Sequence, residues 1–221
     1  MTLKIKELII KTINFKDQIH FYEKLIGLKL IELNKFQASF QIGQSTLKLI
    51  ESENFYPYHI AINIPCNKEN EALAWLKKRV NVLKADGNEI QDFNYWNAKA
   101  IYFYDLDKNI IEFISRKNLK NESNENFNSK SLLEISEIGM PVNDIKSTYT
   151  SLNKRTKIKK FDGGFERFCA IGDEEGLFIC INKNLKDWFP TGDKAHSSEF
   201  DIKFEENENE FNLSFLNGEI I

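Results

Sequence analysis

Strand-like and helix-like patterns of hydrophobic residues follow one another along this chain in an order that repeats. Residues 3–12 (LKIKELIIKT) alternate apolar and polar positions, as a half-buried β-strand does. Residues 14–28 carry apolar side chains at intervals of four, three and four, which predicts one apolar helix face: Phe15, Ile19, Tyr22 and Ile26. Three further strand patterns follow before residue 52. The first module therefore has the predicted order β-α-β-β-β.

The same order recurs twice more. In the second module the strand YHIAINIP (58–65) precedes a predicted helix over 67–80, and the turn DLDKN (105–109) separates the last two strands. In the third, a predicted helix over 143–155 follows a strand, and GDEEG (172–176) takes the place of DLDKN. A fourth copy, near the C-terminus, offers strand patterns but leaves no room for a helix. We interpret the chain as a repeat protein with four copies.

A polar segment over 117–130 (KNLKNESNENFNSK) divides the repeats. We therefore expect a first paired module over 1–116 that carries the candidate pocket, a polar linker over 117–130, and a second, partly truncated half over 131–221. One module has an apolar sheet face that it cannot bury alone. Pairing of modules is expected to curl mixed sheets into cups with the helices outside, so the predicted fold class is α+β.

Composition narrows the possible functions. The 221 residues are 42% hydrophobic and 13% aromatic, which is enough for a packed core, and 30 basic and 33 acidic residues are mixed along the chain. Since no basic stripe is present, we expect no nucleic-acid partner. The longest apolar runs are far shorter than the ~20 residues of a membrane span. The N-terminus lacks signal-peptide features, and three cysteines lack metal-ligand spacing, so a cytoplasmic protein with reduced thiols is expected.

Two motifs give the repeat a family resemblance. FYEKLIGLKL (21–30) and, more specifically, YFYDLDKNIIEF (102–113) resemble segments of the vicinal oxygen chelate superfamily, which includes glyoxalase I, extradiol dioxygenases, fosfomycin resistance proteins and bleomycin-binding proteins. The resemblance covers nearly the whole chain, least securely after residue 183. It implies a glyoxalase-like fold. In active members of the family, a divalent metal lies in the cup of a paired module.

The resemblance also implies a ligand set. Glu7 matches the first-strand ligand of the first module, while His59 and Glu112 match the first-strand and last-strand ligands of the second. Lys48 stands where the first module has its last-strand position. One divalent ion (Fe, Mn, Ni or Zn) is therefore expected at Glu7, His59 and Glu112, with Glu7 or Glu112 as a catalytic base. Buried carboxylates without a partner cost several kcal/mol, so a cation is also expected on physical grounds.

A salt bridge is the alternative to the metal. Lys48 can neutralise Glu7 or Glu112 and leave a metal-free pocket; a Lys48 that bonds to Glu7 favours a binding protein, and one that points away favours an enzyme. The third module repeats the first-strand position with Glu137, but Ile179 replaces the last-strand ligand. The second half is therefore expected to be structural.

Several residues are candidates for contacts with a substrate, although core packing is the more common role of such aromatic residues: Lys48, Tyr95, Trp96, Lys99, Tyr102 and Tyr104. The loop DWFPTGD (187–193) is expected either to close over the second half or only to cap it. His20 and His196 are expected at the surface.

Two functions remain open. The first is a metal-dependent glyoxalase-like lyase or isomerase, or a dioxygenase, that acts on a small oxygenated molecule. Extradiol chemistry is disfavoured because it normally uses two histidines. The second is a metal-free protein that sequesters a small aromatic compound or antibiotic, as bleomycin-resistance proteins do. A homodimer is compatible with both.

Overall fold

Four strand-rich modules follow one another in the computed structural model, which describes residues 2–221. The first contains β1 (Leu3–Thr12), α1 (Phe15–His20) with a π-helical turn (Phe21–Leu25), β2 (Lys29–Leu33), β3 (Gln37–Ile42) and β4 (Ser45–Glu51). The second contains β5 (His59–Ile64), α2 (Glu69–Leu76), β6 (Gln91–Phe93), β7 (Ala98–Tyr104) and β8 (Ile110–Arg116). The third contains β9 (Glu134–Val142), α3 (Ile145–Thr156), β10 (Lys160–Gly163), β11 (Phe168–Asp173) and β12 (Gly176–Asn182). The fourth contains β13 (Phe200–Glu206), β14 (Asn209–Leu216) and β15 (Glu219–Ile220).

The predicted α+β class and the repeated module order are confirmed, with differences at element ends. Helix α2 is shorter than the predicted 67–80. Strand β6 is only three residues long, and a 3₁₀ turn follows it (Asn94–Trp96). Asn97 ends that turn with a left-handed φ of 49°, a conformation that asparagine tolerates and that breaks a strand. No helix among residues 2–221 is long and apolar enough to cross a membrane.

The structure pairs the modules differently from the expectation. A seven-stranded sheet has the order β15-β14-β13-β1-β4-β3-β2, so the first module joins the fourth. An eight-stranded sheet has the order β10-β11-β12-β9-β5-β8-β7-β6, so the second module joins the third. The period-two pattern specifies which face of a first strand is buried, but it is the same whichever strand lies alongside. For that reason the pattern could not predict the partner.

Each sheet has one face in a shared apolar core. This core includes residues of both sheets and of the helices, among them Leu8, Phe40, Ile60, Ile138 and Leu152. A second, smaller apolar cluster lies on the other face of the eight-stranded sheet and includes Ala61, Tyr102, Ile179 and Trp188. The eight-stranded sheet is therefore apolar on both faces, and one of these faces forms a cup.

The polar segment over 117–130 is packed onto the second module. Phe127 is buried, with its ring 5.6 Å from that of Trp75 and 6.3 Å from that of Phe113. The Asn121 side chain accepts a hydrogen bond from the backbone N–H of Cys66 at 2.9 Å. The segment is therefore a strap that crosses α2 on its way to β9.

The DLDKN turn joins the two sheets. Asp105 accepts hydrogen bonds from the Tyr22 hydroxyl and the Asn109 side chain, both at 2.7 Å. Asp107 accepts from Asn14 Nδ2 at 2.6 Å and from the hydroxyl of Thr12. Since the donors Thr12, Asn14 and Tyr22 belong to the first module, whose strands form the other sheet, these carboxylates help to fix the relative position of the two sheets.

Asp105→Ala is expected to lower the free energy of unfolding by about 2–4 kcal/mol, because buried donors on Tyr22 and Asn109 lose their acceptor. Urea denaturation measures this change. The control is Leu106→Ala in the same turn, whose side chain is 49% exposed and which we expect to change stability by about 0.5 kcal/mol or less. Equal losses in the two variants would contradict a linking role for Asp105.

Candidate metal centre

Three neighbouring strands bring two carboxylates to either side of one alanine. In the eight-stranded sheet, Ala61 of β5 is paired with Glu112 of β8 on one side and with Glu137 of β9 on the other. His59 lies two residues before Ala61 and therefore on the same face. Because alanine is small, its position leaves space between the two glutamates. The strand register thus collects His59, Glu112 and Glu137 at one point of the cup.

A β-bulge in β9 turns Glu137 toward this point. The pairing of β9 with β5 shifts between Ile62–Ile135 and Ala61–Glu137, so Ser136 is the extra residue. Ile135 and Ile138 both lie in the shared core, although they are three residues apart. An unbroken strand would place residues 135 and 137 on the same core face, and the bulge instead places Glu137 on the cup face.

The three side chains form a compact and buried cluster. His59 Nε2 lies 3.1 Å from Glu112 Oε2, and the candidate ligand atoms of all three residues lie within 4.8 Å of one another. The residues are only 3–5% exposed. Ligands that share one transition-metal ion at about 2.1 Å lie roughly 3–4 Å apart, so this donor set fits a divalent ion after small side-chain adjustments. Among residues 2–221, no other group of three or more potential ligands converges in this way.

A buried arginine holds one of the carboxylates. Arg116, at the end of β8, is fully buried and donates from Nη2 to Glu137 Oε1 and from Nε to Asn63 Oδ1, the latter at 3.2 Å. It follows Glu112 by four residues and so lies on the same face of the strand. Arg116 fixes one oxygen of Glu137 and leaves the second free for another cation.

The cluster carries unbalanced negative charge. Burial, followed by the charge of Glu112, raises the pKa of Glu137 to about 7, although Arg116 and His59 act in the opposite direction. Burial and the same carboxylate raise the pKa of Tyr102 well above its ordinary value, and Tyr102 is paired with Glu112 across β7 and β8. A further positive charge, either a proton or a metal ion, therefore stabilises this site.

The cluster forms the floor of a cavity of about 630 Å³ with aromatic walls. That volume suits a small organic molecule. Residues of the second and third modules line this cavity together. Ile179 of β12 lies at the floor beside the three polar residues. The aromatic lining residues are Phe93, Tyr95, Trp96, Tyr102, Phe168, Trp188 and Phe189.

The loop after β12 closes one side of this cavity. The Trp188 ring stacks on His59 with a centroid distance of 5.0 Å and an interplanar angle of 17°. It also covers Gly139, where an added Cβ would lie 2.6 Å from the indole ring. Phe189 contacts the Tyr102 ring edge-on at 5.6 Å. Of the two expectations for the 187–193 loop, closure over the cup is the one that the structure shows.

The sequence matches no protein-family model and no curated protein. Solved structures do match. A candidate dioxygenase from Bacillus subtilis aligns over 81% of this chain and 64% of its own, at 12% identity and a TM-score of 0.61. A glyoxalase I mutant from Zea mays aligns over 96% of this chain and 92% of its own, at 12% identity and a TM-score of 0.57. Glyoxalase I from Zea mays itself gives 13% identity and a TM-score of 0.54 over 81% of this chain and 66% of its own.

This chain has a glyoxalase-like fold. At such low identities the similarity establishes the fold, and the chemistry has to be argued from the site. The resemblance inferred from the two sequence motifs is confirmed at this level. The candidate metal centre lies in the cup that the second and third modules build.

The structure does not bring Glu7 to His59 and Glu112. Glu7 lies on β1 of the seven-stranded sheet and is absent from the cavity lining. Lys48 Nζ lies 3.3 Å from Glu7 Oε1, so the salt bridge considered as an alternative is present. This contact no longer distinguishes an enzyme from a binding protein, because neither side chain lines the cavity with His59. The pairing of module one with module four is the physical reason.

The other substrate-contact candidates divide into two groups. Tyr95, Trp96 and Tyr102 line the cavity. Lys99 instead lies 3.5 Å from Glu69, and the Tyr104 hydroxyl donates to Asp193 in the loop. These two and Lys48 are not among the lining residues.

The remaining two histidines are outside the cluster. His20 is exposed, as expected. His196 is also exposed, as expected, and stacks on the Tyr56 ring at 4.6 Å.

The sequence pattern gives little indication that Glu137 and its partner Arg116 lie beside His59 and Glu112. Glu137 was recognised at its strand position, but the apolar Ile179 suggested that its half of the chain was only structural. Arg116 was not recognised, although its spacing of four from Glu112 in a strand indicated the same face. The pairing of modules two and three gives both residues their place.

Arg116→Met is expected to destabilise the metal-free protein by about 3–5 kcal/mol, because Glu137 remains buried without its partner. Arg116→Met/Glu137→Met should recover much of this loss, since both charges are then removed. Urea denaturation in the presence of a chelator measures both. Lys203→Met breaks the exposed pair with Glu210 and serves as the control, with an expected cost of about 1 kcal/mol or less. A cost for Arg116→Met no larger than that of the control would disprove the buried pair.

Proposed function

We propose that this chain is a metal-dependent enzyme of the vicinal oxygen chelate type that acts on a small oxygenated molecule. His59, Glu112 and Glu137 would hold one divalent ion. The observation that carries the proposal is the convergence of three buried donor side chains on the floor of a cavity with room for a substrate.

The donor set limits the metal and the reaction. One imidazole and two carboxylates suit Mn²⁺, Fe²⁺, Ni²⁺ or Zn²⁺. When bound, such an ion acts as a Lewis acid toward neighbouring oxygens of the substrate. Glyoxalase-like isomerase or lyase chemistry fits this set better than extradiol ring cleavage, because the ligand cluster contains one histidine and not two.

The surrounding residues have separate tasks. Arg116 orients Glu137, whose pKa is raised by burial and by the charge of Glu112. Tyr102 is paired with Glu112 across β7 and β8 and lines the cavity beside it. Trp188 covers His59 and keeps water from that side of the floor. The aromatic walls give the body of the substrate an apolar surface.

A metal-free binding protein is the second candidate, and one observation favours it. Each carboxylate of the cluster already has a partner, since Glu137 is paired with Arg116 and Glu112 lies 3.1 Å from His59 Nε2. With a proton on the cluster, the charges balance without an ion. The aromatic lining then sequesters a flat apolar compound.

Calorimetric titration of the chelator-treated protein with Mn²⁺ or Zn²⁺ separates the two candidates. We expect one ion per chain, and a loss of about 100-fold or more in affinity for His59→Ala, Glu112→Gln and Glu137→Gln, because each variant removes a ligand. Glu7→Gln is the matched control and should bind like the wild type.

The opposite pattern, in which Glu7→Gln loses the ion and Glu137→Gln keeps it, would refute this ligand set. A wild-type protein that binds neither ion, nor Ni²⁺ or anaerobic Fe²⁺, would leave the binding protein as the function.

A further inference from the structure

The mouth of the cavity carries two cations from the third module. Arg167 lies just before β11 and Lys186 lies after β12, and both line the cavity. Neither forms an ion pair with any carboxylate of residues 2–221 at 4.0 Å or less. Arg167 Nη2 donates to the backbone carbonyl of Leu185 at 3.3 Å, which keeps its guanidinium beside the segment that carries Lys186.

No carboxylate of the cavity lining lies within ion-pair distance of these cations. Asp162 accepts a hydrogen bond from Trp96 Nε1 at 2.7 Å. Asp187, next to Lys186 in the chain, is paired with Lys194 at 2.9 Å. Asp92 also lines the cavity and forms no ion pair with either cation. The side of the mouth formed by the third module therefore presents two cations that are not in contact with a carboxylate.

The two cations are close enough to affect each other. Lys186 is only partly exposed, and burial, followed by the charge of Arg167, lowers the pKa of its ammonium group, although Asp187 acts in the opposite direction. Arg167 itself is exposed. An anion beside the two cations would relieve their repulsion and replace part of the hydration that Lys186 has lost.

We propose that Lys186 and Arg167 bind an anionic group of the substrate, a carboxylate or a phosphate, at the mouth of the cavity. The body of the molecule then lies among the aromatic walls, with its other end at the floor. The substrate class is thus a small organic acid with an apolar or aromatic body. The assignment of the floor end to a metal-chelating oxygen rests on the proposed function, whereas the anion subsite itself does not.

The test uses a ladder of probes from phenylacetate to 5-phenylpentanoate, each with its uncharged carboxamide and the matching phosphonate. Quenching of tryptophan fluorescence reports binding, because Trp96 and Trp188 line the cavity. The proteins are the wild type, Lys186→Gln, Arg167→Gln and the double variant. Lys154→Gln removes an exposed charge from α3 and is the matched control. Chelator-treated and Zn²⁺-loaded samples are compared.

For at least one chain length, the chelator-treated wild type should bind the acid or the phosphonate about tenfold more tightly than the carboxamide. The double variant should bind charged and uncharged probes equally, and the control should keep the preference. The better of the two anions identifies the natural group. Absence of a preference at every length would overturn the subsite, as would a preference that survives in the double variant.

This experiment is independent of the metal titration. A preference for anions in a protein that binds no metal supports the subsite while the proposed enzyme fails. Metal binding without a preference for anions refutes the subsite and leaves the metal centre in place.

Discussion

Two carboxylates held against each other on a buried sheet face are the constraint on which the rest of this structure depends. Glu112 and Glu137 flank Ala61 from opposite sides, and both are buried at the floor of the cavity. Such a pair is stable only with added positive charge. Arg116, His59 and the raised pKa of Glu137 all answer this requirement. Because the cluster still carries net negative charge, the cavity floor favours the binding of a further proton or of a metal ion.

The two sheets show how the same module can lose or keep a site. Glu7 follows a bulge in β1 between Ile5 and Glu7, as Glu137 follows the bulge in β9. Both glutamates therefore occupy equivalent places in their sheets. Glu7 is partly exposed and forms a salt bridge with Lys48, whereas Glu137 is buried beneath a loop that carries Trp188. The difference lies in what covers the cup and not in the strand.

Much of the fold could be predicted from the sequence because hydrophobic periodicity reports which residues are buried together. The repeated module order, the faces of β5 and β8, and the proximity of His59 to Glu112 all followed from that pattern and from the resemblance. The partner of each module could not be predicted, because pairing of β1 with β13 joins residues some 200 positions apart and leaves the alternation unchanged. The expectation that Glu7 lies beside His59 and Glu112, where the structure has Glu137, was wrong for this reason.

The nested pairing of the modules has a consequence for the order in which the chain folds. Every strand of the eight-stranded sheet lies between His59 and Asn182, so this sheet can form as soon as that stretch has left the ribosome. The seven-stranded sheet joins β1 to β13 and has to wait until residues 200–206 have been synthesised. Closure of that long loop is slow, and until it happens β1 has an exposed edge. The sheet that carries the candidate metal centre is thus formed by strands that lie close together in the sequence. The other sheet depends on distant strands, so it forms later and is the one at risk of misfolding.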